Sequence, residues 1–241
     1  MKKKVIIIIL LVLLIFTPVP VLARAGGGSS GGSGGSSGGG TGRSSHTTRG
    51  RSTYNQSPIE RLASMAGFSL VMVSIAGFTV YKRRQRAIIM HREVSETLDI
   101  LDDQDIFWNE KRIKQQVEKC YYAIQEAWSN QNLEVLKQYL SPSLYESWQI
   151  KLNWQQFQGQ RNVLSNIKLL KHDVVNLYDS TDNNEDYFWV YIEGKMNDKM
   201  LDQENQIIES NNDVFVEYWK FIRNENNIYL DQILQQDEFE K

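Results

Sequence analysis

The sequence predicts an α+β domain, with helices packed on one face of an antiparallel sheet, carried behind a non-globular N-terminal third. Three observations predict it. Residues 1–92 hold 13 Lys/Arg and a single acid, Glu60, whereas residues 93–241 hold 14 Lys/Arg and 28 acids. The net charge of −2 therefore hides a +12 part joined to a −14 part, which is not the charge plan of one uniform globule. Twelve of the 16 glycines lie between Gly26 and Gly50, and all six tryptophans lie after residue 92, so core-forming material is confined to the later part. Beyond residue 107 the apolar residues recur first at helical spacing and then in alternation.

The chain opens with Lys2, Lys3 and Lys4, then an apolar run from Val5 to Phe16 that continues past Pro18-Val19-Pro20 to Leu22. A basic start, an apolar core and a small-residue exit make residues 1–25 a signal peptide. Ala23-Arg24-Ala25 and Val21-Leu22-Ala23 both fit the exit, and cleavage and retention as an anchor are both compatible with the layout. Residues 26–61 are a Gly/Ser/Arg-rich tether. Nothing in them can bury apolar surface, so ordering them would cost entropy without return. Their glycines lack the strand, helix and Lys-Ser/Thr offset of a phosphate loop.

Residues 62–81 contain no charge. Twenty helical residues rise about 30 Å, the thickness of a bilayer's hydrocarbon core. Lys82, Arg83, Arg84 and Arg86 follow at once and mark the cytoplasmic end of a transmembrane helix. Arg43, Arg49, Arg51 and Arg61 on the other flank are more dilute. Single-pass insertion in the bacterial inner membrane with the C-terminal domain in the cytoplasm is the resulting expectation, whichever way the signal is processed. Residues 82–106 then form a basic collar and a helical connector.

The domain itself is expected over residues 107–236, with 237–241 a tail. Ile113, Val117, Cys120, Tyr121, Ile124, Ala127 and Trp128 trace one face of a helix. Asn130-Gln131-Asn132 ends it. Leu133 to Leu140 is a short helix, and Ser141-Pro142 caps and opens a third that runs out near Gly159. Strands are expected over 162–178, with a bulge near Lys171-His172, and over 187–196, 214–223 and 228–234. Asp179 to Asp186 is an acidic turn.

Several chemistries are disfavoured by the inventory. Cys120 is the only cysteine, so there is no intramolecular disulfide and no cysteine metal site. His46, His91 and His172 are not spaced as a ligand pair. No metal, cofactor or catalytic residue is expected. His172 and Asp173 are neighbours in a strand and point to opposite faces, which argues against a simple acid–base dyad. The acidic C-terminal part lacks the basic footprint of a nucleic-acid binder.

Three helices followed by a strongly bent sheet look like the cone of the nuclear transport factor 2-like fold. The chain's end carries a more specific likeness. Glu217, Trp219, Phe221 and Arg223 on one strand, then Leu230, Ile233 and Gln235 on the next, resemble the closing strands of the mitochondrial inner-membrane translocase subunit 44 family. Tyr229 stands where that family usually has Trp. The likeness covers about residues 107–236, and the order of signal, Gly/Ser stretch, membrane helix and domain fits bacterial members.

The resemblance implies a non-enzymatic domain with a large apolar pocket facing lipid or a protein partner. Tyr121, Trp128, Trp189, Trp219, Phe221 and Tyr229 are the pocket candidates, with the division between core and pocket left open. Mitochondrial relatives tether a chaperone to an import channel, but the region that binds it has no counterpart here. The expected function is a membrane-anchored binding module for anionic phospholipid or another apolar ligand, in membrane-protein biogenesis or lipid transport. The alternative is a scaffold holding a protein partner at the inner face of the membrane, with Asp182, Glu185 and Asp186 as an acidic contact. An isomerase or dehydratase on the same fold is the weaker third reading.

Overall fold

A computed structural model describes residues 81–239. The expected signal, the expected tether and nearly all of the apolar segment lie outside the described residues. Among the described residues no helix is long and apolar enough to cross a membrane. Residues 81–102 are helical (α1), and Lys82, Arg83, Arg84 and Arg86 of the collar are exposed. From Ile89 onward the chain forms one compact unit. Leu98 of α1 is buried in its core, with Val94 and Leu101 packed beside it, so the core recruits side chains ahead of residue 107.

The turn after α1 is set by Asp105, whose side chain accepts from the Phe107 amide at 2.9 Å and buries Phe107 and Trp108. Helix α2 (Glu110–Ser129) starts at Asn109, which caps the Arg112 amide at 3.0 Å. Its expected apolar face is the buried face. Asn132 then caps the short α3 (Leu133–Leu136), and Ser141 caps α4 (Pro142–Phe157), with Pro142 in its first turn. Gly159, at φ +65°, closes α4 in the left-handed conformation that a glycine adopts at no steric cost.

The sheet is antiparallel and open, in the order β1-β2-β4-β5. Its strands are β1 (Arg161–Tyr178), β2 (Tyr187–Leu201), β4 (Val214–Asn224) and β5 (Asn227–Gln235), while β3 (Ile207–Asn211) pairs only with β2. Three register shifts interrupt the β1–β2 ladder, the middle one between Leu169 and Lys171, beside the expected bulge. Such irregularities bend a strand and increase its twist. Strand β3 and the longer β2 were not expected. Strand β3 is an exposed edge with no face in the core, so its residues show no alternation of apolar and polar positions. A last turn of helix, α5 (Gln236–Phe239), lies where a tail was expected.

Alternation divides the sheet into two faces. Phe188, Val190, Ile192, Phe215, Trp219 and Phe221 join the α2 and α4 side chains in the core. A Cβ at Gly194 would sit 2.5 Å from both the Phe215 ring and the Tyr121 hydroxyl, so β2 needs glycine where α2 and β4 close over it.

Candidate functional site

The main cleft is framed by helix on one side and hairpin on the other. Lys137 and Leu140 from the α3–α4 link and Pro142, Tyr145, Glu146 and Gln149 from α4 form one wall. Ile222, Arg223, Asn224 and Tyr229 from the β4–β5 hairpin, with Asn184, form the other. The cavity measures about 610 Å³. Two backbone bonds hold its walls together: the Ser141 amide donates to Leu230 O, and the Leu230 amide donates to Tyr139 O, both at 2.8 Å. The link thereby pairs with the edge of β5, where an unpaired strand edge would otherwise face water.

The hairpin wall is rigid for identifiable reasons. Arg223, nearly buried, donates from Nη1 to Asp105 at 2.6 Å and to Asp186 at 3.1 Å, and from Nε to the Glu225 carbonyl at 2.8 Å. Its guanidinium also lies 4.2 Å from the Phe107 ring centroid. The two carboxyls respond in opposite directions. Burial pushes the Asp186 carboxyl up, and nearby Asp179 adds to the rise against the Ser180 amide and Arg223. Burial acts on Asp105 too, but there the Phe107 amide and Arg223 outweigh it and the carboxyl is lowered. Asp186 was read as part of an acidic contact. The structure places its carboxylate inside this clamp, and Asp182 caps the Asn184 amide.

The other motif residues lie on the same face of β4 as Arg223. Glu217 Oε2 accepts from Trp219 Nε1 at 3.0 Å, and Oε1 accepts from Gln235 Nε2 at 3.3 Å. Trp219, Phe221 and Leu230 are fully buried, and Ile233 packs on the core. The spaced pattern Glu217, Trp219, Phe221, Arg223 is thus one face of a strand. Its polar ends are tied and its aromatic middle is packed.

Of the six pocket candidates, Tyr121, Trp128, Trp219 and Phe221 lie in the core rather than along the cleft. Trp128 donates to Asn162, which in turn donates to Asp198. Lys151 of α4 hangs 5.2 Å over the Trp128 ring. Burial lowers its ammonium against the pull of Asp198 and Glu217. Trp189 is half-buried on the far sheet face, edge-on to Phe239, which stacks on Tyr218 at 4.0 Å. Tyr229 alone among the six lines the cleft. Sequence reading missed Lys137, Tyr145, Glu146 and Gln149: Lys137 sits in the link with no local signal, and the other three had only the Ser141-Pro142 start of their helix.

Two other reactive candidates are otherwise engaged. Asp173 is bound by Lys171 at 3.0 Å and Lys114 at 3.1 Å. The Cys120 thiol is buried and pushed up to about 12, chiefly by desolvation, so it stays protonated.

Residues 94–231, more than half of the chain, match the Tim44-like domain. The chain belongs to the Tim44-like domain family. No curated protein matches this Tim44-like chain. Among solved structures, one similar chain is the crystal structure of the intermembrane space region of the chloroplast protein ARC6. It is 14% identical with a TM-score of 0.38, over 50% of this chain and 94% of that one.

Proposed function

We propose that this Tim44-like protein is a membrane-anchored, non-enzymatic binding module. Its domain takes a membrane lipid or another apolar ligand in the cleft between α4 and the β4–β5 hairpin. The observation that carries this reading is the composition of the walls. Leu140, Ile222 and the rings of Tyr145 and Tyr229 offer an apolar surface, while Lys137, Glu146, Asn224 and Gln149 offer polar groups on the same cavity. A site with apolar walls and a few convergent polar groups suits an amphiphile. An anionic head group would meet the Lys137 ammonium.

Supporting features come from the rest of the chain. The three register breaks of β1 fit a bent, cone-like sheet of the nuclear transport factor 2-like kind. The uncharged stretch 62–81 and the collar Lys82–Arg86 fit a single-pass anchor with the domain on the cytoplasmic side. With Asp173 occupied by two lysines, the His172–Asp173 pair is not set up as a dyad.

Purifying the full-length chain from membranes in mild detergent and recording its native mass tests the reading. A retained phospholipid is expected, lost or greatly reduced in Ile222→Trp, which fills the cleft. A wild-type protein free of lipid, or equal lipid in both forms, would sink it.

A further inference from the structure

Helix α4 is apolar on two faces. Its inner face buries Trp148 and Leu152, with the Trp148 ring 5.0 Å from that of Trp128. Its outer face presents Ile150, Trp154 and Phe157, which are 71%, 58% and 78% exposed. The intervals of four and three residues place them in one line along the helix. Trp154 and Phe157 stack on each other in water, with ring centroids 5.5 Å apart. Single exposed apolar residues are ordinary, but a line of three that includes a Trp and a Phe marks an interaction surface. The line also sits on a fixed support. At its end the Gln160 amide donates to Gln155 O at 2.8 Å, and Arg161 reaches Asn205 on the β2–β3 turn at 2.8 Å. Beyond that turn Ile207 and Ile208 are also exposed.

We infer that this outer face of α4 docks on the surface of the bilayer to which the chain is tethered, seating Ile150, Trp154 and Phe157 at the boundary between head groups and acyl chains. The inference rests on the proposed membrane-anchored reading for its bilayer, and extends it by naming the surface that touches the lipid.

Charge supports this occupant. Residues 93–241 carry 28 acids, yet none falls between Ser147 and His172, a stretch that holds Lys151, Arg161, Lys168 and Lys171. The segment that carries the apolar line therefore adds no acid of its own against an anionic leaflet, and the acids beside its end are Asp202 and Glu204 on the β2–β3 turn that Arg161 reaches. Asn153 and Gln156 are the exposed neutral residues between the three apolar side chains, and Trp is the side chain favoured at membrane interfaces.

Area argues against a second copy. Three side chains expose on the order of 400 Å², the size of a typical monomer's largest patch, whereas a stable dimer buries about 800 Å² on each partner. A covalent tether changes that requirement for a membrane. The uncharged segment ends at residue 81, and the compact unit begins at Ile89. Docking is then intramolecular in effect, and a small patch is enough.

The test uses the full-length chain in vesicles of phosphatidylcholine and phosphatidylglycerol whose acyl chains carry a nitroxide quencher. Phe157→Cys bears an environment-sensitive dye, and Glu134→Cys, on exposed α3, is the reference. Cys120 is buried and does not compete. Quenching several-fold stronger at 157 than at 134 is expected, and equal quenching overturns the docking. A photo-crosslinker at 157 that joins two copies, or another protein, instead of lipid overturns it as well. Repeating the measurement in Ile222→Trp separates the two readings. Quenching at 157 that persists when the cleft lipid is absent upholds docking without the cleft, whereas lipid in the cleft without quenching at 157 upholds the cleft alone.

Discussion

The β4–β5 hairpin and helix α4 face each other across the cleft and are built on opposite terms. On the core face of the hairpin each charged group has partners: Glu217 holds Trp219 and Gln235, and Arg223 holds Asp105, Asp186 and the Glu225 carbonyl. On α4 the inner face buries Gln155 with its Oε1 unpartnered, carries Lys151 with its ammonium lowered by burial, and turns three large apolar side chains outward to water. Buried polar groups normally have partners, and exposed apolar lines are normally covered. The hairpin keeps both rules and α4 breaks both. One wall of the cleft is therefore optimised for stability, and the other carries the features expected of a surface that meets something else.

The largest expected effect breaks the hairpin side. Trp219→Ala removes a fully buried indole and the donor to Glu217. A loss of about 3–5 kcal/mol, the range for large aromatic truncations, is expected in urea or thermal unfolding of the domain. A loss below 1 kcal/mol would mean that the motif is not the keystone of the core. Arg223→Lys comes next. An ammonium cannot reproduce a planar fork that serves two carboxylates and a carbonyl, so about 1.5–3 kcal/mol should be lost for the charge-assisted bonds. Retained stability in that variant would show that the clamp is dispensable and erase the contrast with α4.

The contrast also separates what the sequence discloses from what it hides. The helix periodicity from Ile113 to Trp128 and the Ser141-Pro142 start were legible because caps and spacing are local properties, and the structure returns both. The four motif residues of β4 were legible by family likeness, and alternation put them on one face. Which aromatics are core was not legible. Trp128 and Tyr229 differ in burial through their neighbours across the fold, not through anything adjacent in the chain. Lys137, Tyr145 and Gln149 were invisible as a cleft wall, because the bridge from Leu140 to Leu230 that brings them to the hairpin spans 90 residues. Strand β3 was missed because an edge strand exposed on both faces has no apolar alternation to read.

A smaller effect sharpens the inner face of α4. Burial lowers the Lys151 ammonium below its unfolded value near 10.5, with Asp198 and Glu217 opposing the shift. Between the folded and unfolded values the unfolded chain binds more protons, so stability contributed by this residue rises with pH across that window. Below the window both states are protonated, and above it neither is. The difference in unfolding free energy between wild type and Lys151→Met should therefore slope upward with pH only as 10.5 is approached. A flat difference would mean that Lys151 is held by its carboxylates as firmly as the charges of the hairpin are.

The smallest effect is the one that decides what α4's outer face is for. Trp154→Ser with Phe157→Ser removes two rings that stack on each other and are mostly exposed. Nothing in the core depends on them, so the unfolding free energy of the detergent-solubilised chain should move by no more than about 0.5 kcal/mol. Natural sequences seldom keep such residues in water unless they are used, since they favour aggregation. If the double variant instead costs as much as a buried residue, the outer face is a structural surface and α4 follows the same rules as the hairpin. If stability is unchanged while contact with the bilayer is lost, stability belongs to the core face of the hairpin and membrane contact to the outer face of α4. Substitutions on the core face of the hairpin would then act through the folded population, and substitutions on the outer face of α4 through membrane contact alone.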